Sequence, residues 1–236
     1  MKHVILIPTY DESLNIERVV SSIMEEYSNV FVKVIDDNSP DGTGDITKKL
    51  MIKYPRLSLL ARNKKEGLGK AYTQGFQEVM KDPEATHLFM MDADMSHNPS
   101  YIGEMIKQSS FYDLVIGSRY TKGGGTVGWE LWRRILSFCG NMYAGFVTRV
   151  PIYDMTGGFN CINVEFLKKI DLDKTDSSGY AFIMELKYAI YKKGAKIKEI
   201  PIIFANRFGG ESKLSNNIIS EGVLAPWKML WRNKKF

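Results

Sequence analysis

Residues 88–91, Leu-Phe-Met-Met, form an apolar run that stops at Asp92-Ala93-Asp94. A strand with one face in water alternates polar and apolar side chains, and this run does not. It therefore predicts a strand covered on both faces, as in a parallel sheet flanked by helices. Such sheets take their ligands in crevices at the carboxyl ends of the strands. On an extended path, side chains two residues apart lie on one side, so Asp92 and Asp94 are expected to face one point and hold a hard cation together. Aspartates after strands also cap helices or close turns. Here Asn98 or Ser100 is available to cap the next helix, with Pro99 suited to its first turn.

The rest of the first half repeats the strand-then-helix pattern. Strands are predicted at Val4 to Pro8, Phe31 to Ile35 and Leu57 to Leu60, and helices at Leu14 to Tyr27, Ile46 to Tyr54 and Gly69 to Met80. This alternation implies an α/β fold, a mainly parallel, Rossmann-like sheet wound with helices. After Leu114 to Ser118 the pattern loses regularity, and glycine clusters at 123–125 and 157–158 mark tight turns or mobile segments. No repeat or low-complexity linker divides the 236 residues, which are read as one domain, 1–236.

Charge and cysteine content restrict the chemistry. A net charge of +5 is a mild bias toward anionic partners such as polyphosphates or an anionic membrane, and not a nucleic-acid signature. Cys139 and Cys161 have no CxxC spacing, so they are read as reduced core residues in a cytosolic protein. The opening MKHVILIPTY is a first strand and not a signal peptide, and the uncharged stretch from Ile135 to Thr148 is too short to span a bilayer.

Two further strand ends carry polar side chains of the same kind. IPTYDE brings Pro8, Tyr10 and Glu12, and VIDDNSPDGTGD brings Asp36 and Asp37. An aromatic ring beside carboxylates suits a nucleoside, by stacking on the base and accepting hydrogen bonds from its edge or a ribose hydroxyl. NSPDG is also a good turn, in which Asp36 or Asp41 has only a shaping role. GLGKA, residues 67–71, has neither the GxGxxG nor the GxxxxGK[ST] spacing, which excludes the usual dinucleotide and P-loop readings. Phosphate charge would then be met by a cation on the aspartates and by arginine or lysine.

Nine segments in order, IPTYDE, VIDDNSPDGTGD, EGLGKAY, MDADMSHNP, IGSRY, GWELWRR, DMTGGF, GYAFIMEL and NRFGGESKL, resemble the dolichol-phosphate mannose synthases of glycosyltransferase family 2. The resemblance spans nearly the whole chain and implies the GT-A fold. It implies that Pro8, Tyr10, Glu12, Ile35 and Asp37 contact the nucleoside. Asp92, Ala93 and Asp94 would be the DxD motif, contacting the diphosphate sugar and a divalent cation, Mg²⁺ or Mn²⁺. Ser96 stands where some relatives have a glutamine at the metal, so it ligates directly or through water. Arg119, Arg133, Arg207 and Lys213 would be the basic contacts, with Arg119, Arg207 and Lys213 toward the donor and Arg119 and Arg133 toward the acceptor phosphate. Arg207 and Lys213 flank Gly209 and Gly210, so that segment could fold over the diphosphate as a lid.

The activity implied is transfer of mannose from GDP-mannose to dolichyl or another polyprenyl phosphate, with inversion and release of GDP, Asp94 and Arg119 being the catalytic residues. The acceptor phosphate is already ionised, so alignment and leaving-group stabilisation matter more than a general base. His97 is read as a structural hydrogen-bonding residue at least as readily as an acid or base. Other donors such as UDP-glucose, a nucleotidyltransferase, and a non-catalytic nucleotide-sugar binding module are the alternatives. Trp129 to Val150 interleaves aromatic and basic residues, and residues about 215–236 carry an amphipathic stripe of Ile219, Val223, Leu224, Trp227, Leu230 and Trp231 beside Lys228, Arg232 and Lys235. Both suit a lipid interface or packing on the protein's own core. The expectation is a peripheral protein on the cytoplasmic face of a membrane, relying on its own surface, on a small anchoring subunit, or on sequence beyond residue 236.

Overall fold

Ile5, Leu6 and Ile7 are consecutive and all fully buried, so strand β1 (Lys2–Thr9) is covered on both faces. The computed structural model describes residues 1–172, 179–206 and 216–232. Within them, β1 joins β2 (Val30–Asp36), β3 (Leu57–Ala61), β4 (Ala85–Met90), β5 (Leu114–Ser118), β7 (Asn160–Asn163) and β8 (Ile197–Pro201) in one sheet ordered β3-β2-β1-β4-β7-β5-β8. All pairings in it are parallel except those of β7, which runs antiparallel to both β4 and β5. A second, two-stranded parallel sheet pairs β6 (Gly125–Thr126) with β9 (Ile203–Phe204).

Alternate residues of the strands feed two cores. Ile5 and Ile7 join Val32, Val34 and Phe89 in one, and Val4 and Leu6 join Ile35, Leu88 and Met90 in the other. The first is closed by α1 (Ile16–Glu26), α2 (Thr43–Lys53) and α4 (Ile102–Ser109), the second by α3 (Leu68–Met80) and later helices. Helix α1 shows why: Ile16, Val19, Val20 and Ile23 recur at helical spacing and are all buried. The later helices are α5 (Leu131–Thr148), the short α6 (Val164–Leu167), α7 (Gly179–Lys192) and α8 (Asn216–Arg232). No helix among the described residues is long and apolar enough to cross a membrane.

The first-half strands and helices lie where the sequence pattern places them, within about three residues at each end. Strand β7 has no counterpart in that pattern, because four residues reading Asn-Cys-Ile-Asn carry no period of their own. Cys161 on β7 is buried as expected, but Cys139 is exposed on the outward face of α5, so only one of the two free cysteines is a core residue.

Candidate active site

Three neighbouring strands deliver the three polar segments to one edge. Strands β2, β1 and β4 are adjacent and parallel, with Thr9 opposite Asp36 and Leu6 opposite Met90, so the residues after each emerge on the same side. The antiparallel β7 begins where its parallel neighbours end: Asn160 pairs with Met90 and with Ile116. That reversal brings the 154–158 turn and Arg119, which comes directly after β5, to the same edge.

On the β1/β2 side the polar groups form a network. Asp37 pairs with Arg62, which also donates to Gln74 and Glu66. Asp36 accepts from Thr9 Oγ1 and from Ser39, and Asp41 accepts from Thr43 and from the Ser13 peptide, so both shape the turn. The Glu12 carboxylate accepts from Asn15 at 2.8 Å, at the start of α1. Lys65 Nζ sits 3.6 Å from the centroid of the Tyr10 ring. Ile35 is fully buried and its side chain packs against α3 at Gly75, where an added Cβ would lie 2.5 Å from Ile35 Cδ1. Ala93 is likewise 3% exposed and in the core.

The Asp92–Asp94 path is not extended. The chain bends over 93–95, and Met95 takes a left-handed φ of 63°. The two carboxylates therefore differ, Asp92 with 37% of its side chain exposed and Asp94 buried. The Ser96 peptide and hydroxyl both donate to Asp94 Oδ1, so Ser96 orients that carboxylate. Asn98 caps the 3₁₀ turn Pro99–Tyr101, in keeping with its place in the sequence. His97 is buried, stacks on Phe159 at 5.0 Å, and accepts the Asp92 N–H on Nδ1 at 3.0 Å. The ring proton of the neutral histidine therefore sits on Nε2, which faces Asp92 Oδ2 at 3.8 Å. Burial lowers the His97 pKa against the pull of Asp92 and Asp94.

Two carboxylates of this kind fit a hard cation whose remaining ligands are diphosphate and water oxygens. No cluster of three or more His, Cys, Asp or Glu able to hold a metal is present among the described residues.

A buried ionic cluster stands beside this site. Asp154, fully buried, accepts from Arg119 Nε at 2.8 Å, Nη2 at 2.7 Å and the Arg119 peptide at 2.9 Å. Lys187, 1% exposed, donates to the carbonyls of Asp154 and Gly157 at 2.6 and 2.8 Å. Glu199 on β8 accepts the Tyr153 and Asp154 peptides. Burial works to raise the Asp154 pKa, but Arg119 and Lys187 outweigh it and hold it at about 2. Burial pushes Lys187 down to about 8, with Asp154 and Glu199 opposing.

Aromatic rings join the two halves. Phe204 meets His97 edge-on at 5.3 Å and Trp129 at 5.5 Å, and Trp129 packs under both the Arg133 and Arg119 guanidinium groups at 4.2 and 5.7 Å. Arg119 and Arg133 are thus brought together near the DxD segment. Arg207 and Lys213, and the segment read as a lid, lie outside the described residues. Helices α5 and α8 lie side by side, Tyr143 donating to the Val223 carbonyl and Trp227 to Tyr143. Across them Trp132, Ile135, Phe138, Met142, Phe146, Leu224, Trp227 and Trp231 are exposed. Of the C-terminal stripe, the side chains of Ile219, Arg232 and Lys235 lie outside the described set.

Sequence reasoning missed Arg62, Asp154 and Lys187. A signal existed for Lys187: Phe182, Ile183, Met184, Leu186, Tyr188 and Ile190 surround it in sequence and are all buried, so a lysine among them requires a partner.

Fold and site together define the class, a GT-A glycosyltransferase. Residues 4–171 match the model of glycosyl transferase family 2. The undecaprenyl-phosphate mannosyltransferase of Micrococcus luteus is 35% identical over 224 residues, 95% of this chain and 92% of that protein. The polyprenol monophosphomannose synthase of Mycolicibacterium smegmatis is 37% identical over 227 residues, 94% of this chain and 85% of that one. The chain belongs to glycosyl transferase family 2. Among solved structures, mannosyl-3-phosphoglycerate synthase from Rubrobacter xylanophilus superposes with a TM-score of 0.71 at 16% identity, covering 99% of this chain and 74% of that one. A Pyrobaculum calidifontis mannosyltransferase solved with GDP-mannose and Mn²⁺ gives 0.65 at 15% identity, covering 98% of this chain, which spans 64% of that chain's length. At such identities these two show the fold alone.

Proposed function

We propose that this chain transfers mannose from GDP-mannose to dolichyl or another polyprenyl phosphate, with inversion, at a membrane surface. The observation that carries the reading is the convergence of the three carboxylate-bearing strand ends at one edge, in a chain that matches two polyprenyl-phosphate mannosyltransferases over about 95% of its length. The acceptor phosphate oxygen forms a bond to the anomeric carbon from the face opposite the diphosphate, whose bond to that carbon breaks, and GDP leaves. A phosphate dianion or monoanion needs no proton removed, so the protein supplies alignment and charge.

Tyr10, with the Pro8, Glu12 and Asp37 segments, flanks the nucleoside, and Asp92 and Asp94 hold a divalent cation, Mg²⁺ or Mn²⁺. That cation would screen the diphosphate and stabilise it as a leaving group. Ser96 and His97 orient the two carboxylates. Arg119 and Arg133 face the acceptor phosphate, and Arg207 and Lys213 the donor phosphates. The exposed apolar face of α5 and α8, with Arg134 and Lys228 on the same helices, rests in the headgroup region of an anionic bilayer. The test is an assay of purified protein with a panel of nucleotide sugars and polyprenyl phosphates. Mannolipid and GDP in equal amounts support the reading, and turnover of UDP-glucose in place of GDP-mannose would refute the donor.

A further inference from the structure

Thr156 lies in the turn that follows Asp154, half-buried between Arg119 and α5. Its Oγ1 accepts from Arg119 Nη2 at 2.9 Å and from Asn141 Nδ2 at 3.1 Å. Neither bond can run the other way. A guanidinium has donors only, and the Asn141 amide is fixed by its other partners: Nδ2 also donates to the Ser137 carbonyl at 2.8 Å, and Oδ1 accepts the Thr156 N–H at 2.9 Å. A hydroxyl has two lone pairs and one proton. With both lone pairs taken, Thr156 has only its proton left to give, and no acceptor for it is present among the described residues.

The turn is braced, so the direction of that hydroxyl is set in advance. Lys187 donates to the Asp154 and Gly157 carbonyls, Asn160 Nδ2 donates to the Gly157 carbonyl at 3.1 Å, and Asp154 Oδ1 accepts the Gly157 N–H. Later in the same turn Gly158 lies against the DxD segment, its Cβ position 3.7 Å from Asp92 Oδ1. An anion that reaches Arg119 on the side of the cation site therefore meets the Thr156 hydroxyl one hydrogen-bond length from the guanidinium. Donors held in place before the ligand arrives need no reorganisation when it binds.

We propose that the Thr156 hydroxyl is a binding group for the acceptor phosphate, donating its proton to a phosphate oxygen held by Arg119. The proposal rests on the reading of Arg119 as facing the acceptor phosphate, and not on the identity of the donor sugar. A hydroxyl beside an arginine suits a phosphate monoester, because it adds a short, directed donor to the charge of the guanidinium.

The test is steady-state kinetics with GDP-mannose and a short polyprenyl phosphate, each varied in turn, on the parent chain, Thr156→Val, Thr156→Ser and Asn141→Ala. Thr156→Val deletes the hydroxyl at nearly constant shape. Its KM for the polyprenyl phosphate is expected to rise about 10-fold or more, the usual scale for a hydrogen bond to a charged group, with the KM for GDP-mannose unchanged. Thr156→Ser restores the hydroxyl and should recover most of the acceptor affinity. Asn141→Ala removes a brace but keeps the proton donor, so its acceptor KM should rise less than that of Thr156→Val. Where the valine variant melts well below the parent, Thr156→Cys, with a sulfur that donates only weakly, carries the same comparison. An unchanged acceptor KM without the hydroxyl, an equal rise in Asn141→Ala, or an equal rise in the KM for GDP-mannose would overturn the role of Thr156 and leave the mannosyl-transfer reading standing. No transfer by the parent chain to any polyprenyl phosphate would overturn both.

Discussion

Replacing Asp154 by asparagine removes one charge and one acceptor from the most heavily bonded side chain near the site. Oδ2 accepts from the Arg119 peptide and Nε, and Oδ1 from Arg119 Nη2 and the Gly157 peptide at 2.8 Å. An amide turns one of these oxygens into a donor facing donors. It also removes a buried negative charge from beside Arg119, 7% exposed, and Lys187, 1% exposed. Breaking a buried pair in this way is destabilising by about 3–5 kcal/mol. For a domain of this size each kcal/mol lowers Tm by about 2–4 °C, so Asp154→Asn should melt about 6–20 °C below the parent. Circular dichroism on melting, with urea unfolding at pH 7, reads both numbers. A loss below about 1 kcal/mol for Asp154→Asn would refute the argument that the pair anchors Arg119. The acid behaviour obeys the same logic. Asp154 is held at about 2 when folded against 3.8 ordinarily, so its contribution is complete above about pH 4 and is lost as pH falls toward 2.

At the opposite end of the sheet, burial and the stacked ring of His87 push His3 down to about 4 from 6.5. Its folded value is depressed, so its share of stability, at most about 3 kcal/mol, is present above pH 6.5 and lost as pH falls toward 4; the slope should flatten in His3→Leu, as read by urea midpoints across that range. Asp94→Ala should abolish transfer with Tm nearly unchanged, and excess chelator should stop the parent until Mg²⁺ or Mn²⁺ is restored. Turnover above a tenth of the parental rate in either condition would contradict the metal assignment. Leu224→Ser with Trp231→Ser changes two exposed side chains of α8, so the fold should hold while flotation with anionic vesicles weakens. Unchanged flotation would place the lipid contact elsewhere.

The first half of the fold is legible in the sequence because its elements keep a clear period. Val19, Val20 and Ile23 repeat at helical spacing, and Leu88 to Met91 admit only a strand covered on both faces. The convergence of Tyr10, Asp37 and Asp92 is readable for the same reason, since neighbouring parallel strands all end at one edge of the sheet. Strand β7 is not, and with it goes the Arg119–Asp154 pair. Four residues have no period to read, and only the antiparallel pairing with β4 and β5 brings the two partners together. The bend at Met95 escapes as well, because the local preference of an aspartate-rich turn gives no sign of a left-handed φ at methionine. Lys187 shows a different gap. It reads as an ordinary member of a helix, and it becomes notable only because its polar atom lies inside the core.

The most direct test of the central claim is the stereochemistry and composition of the product formed from GDP-mannose and a short polyprenyl phosphate with Mn²⁺. Equimolar GDP and a β-linked mannosyl phosphate lipid, identified by nuclear magnetic resonance and mass spectrometry, are the predicted products, since GDP-mannose carries an α-linked sugar and a single displacement inverts it. An α-linked product, release of pyrophosphate, or transfer only from a different nucleotide sugar would contradict the account.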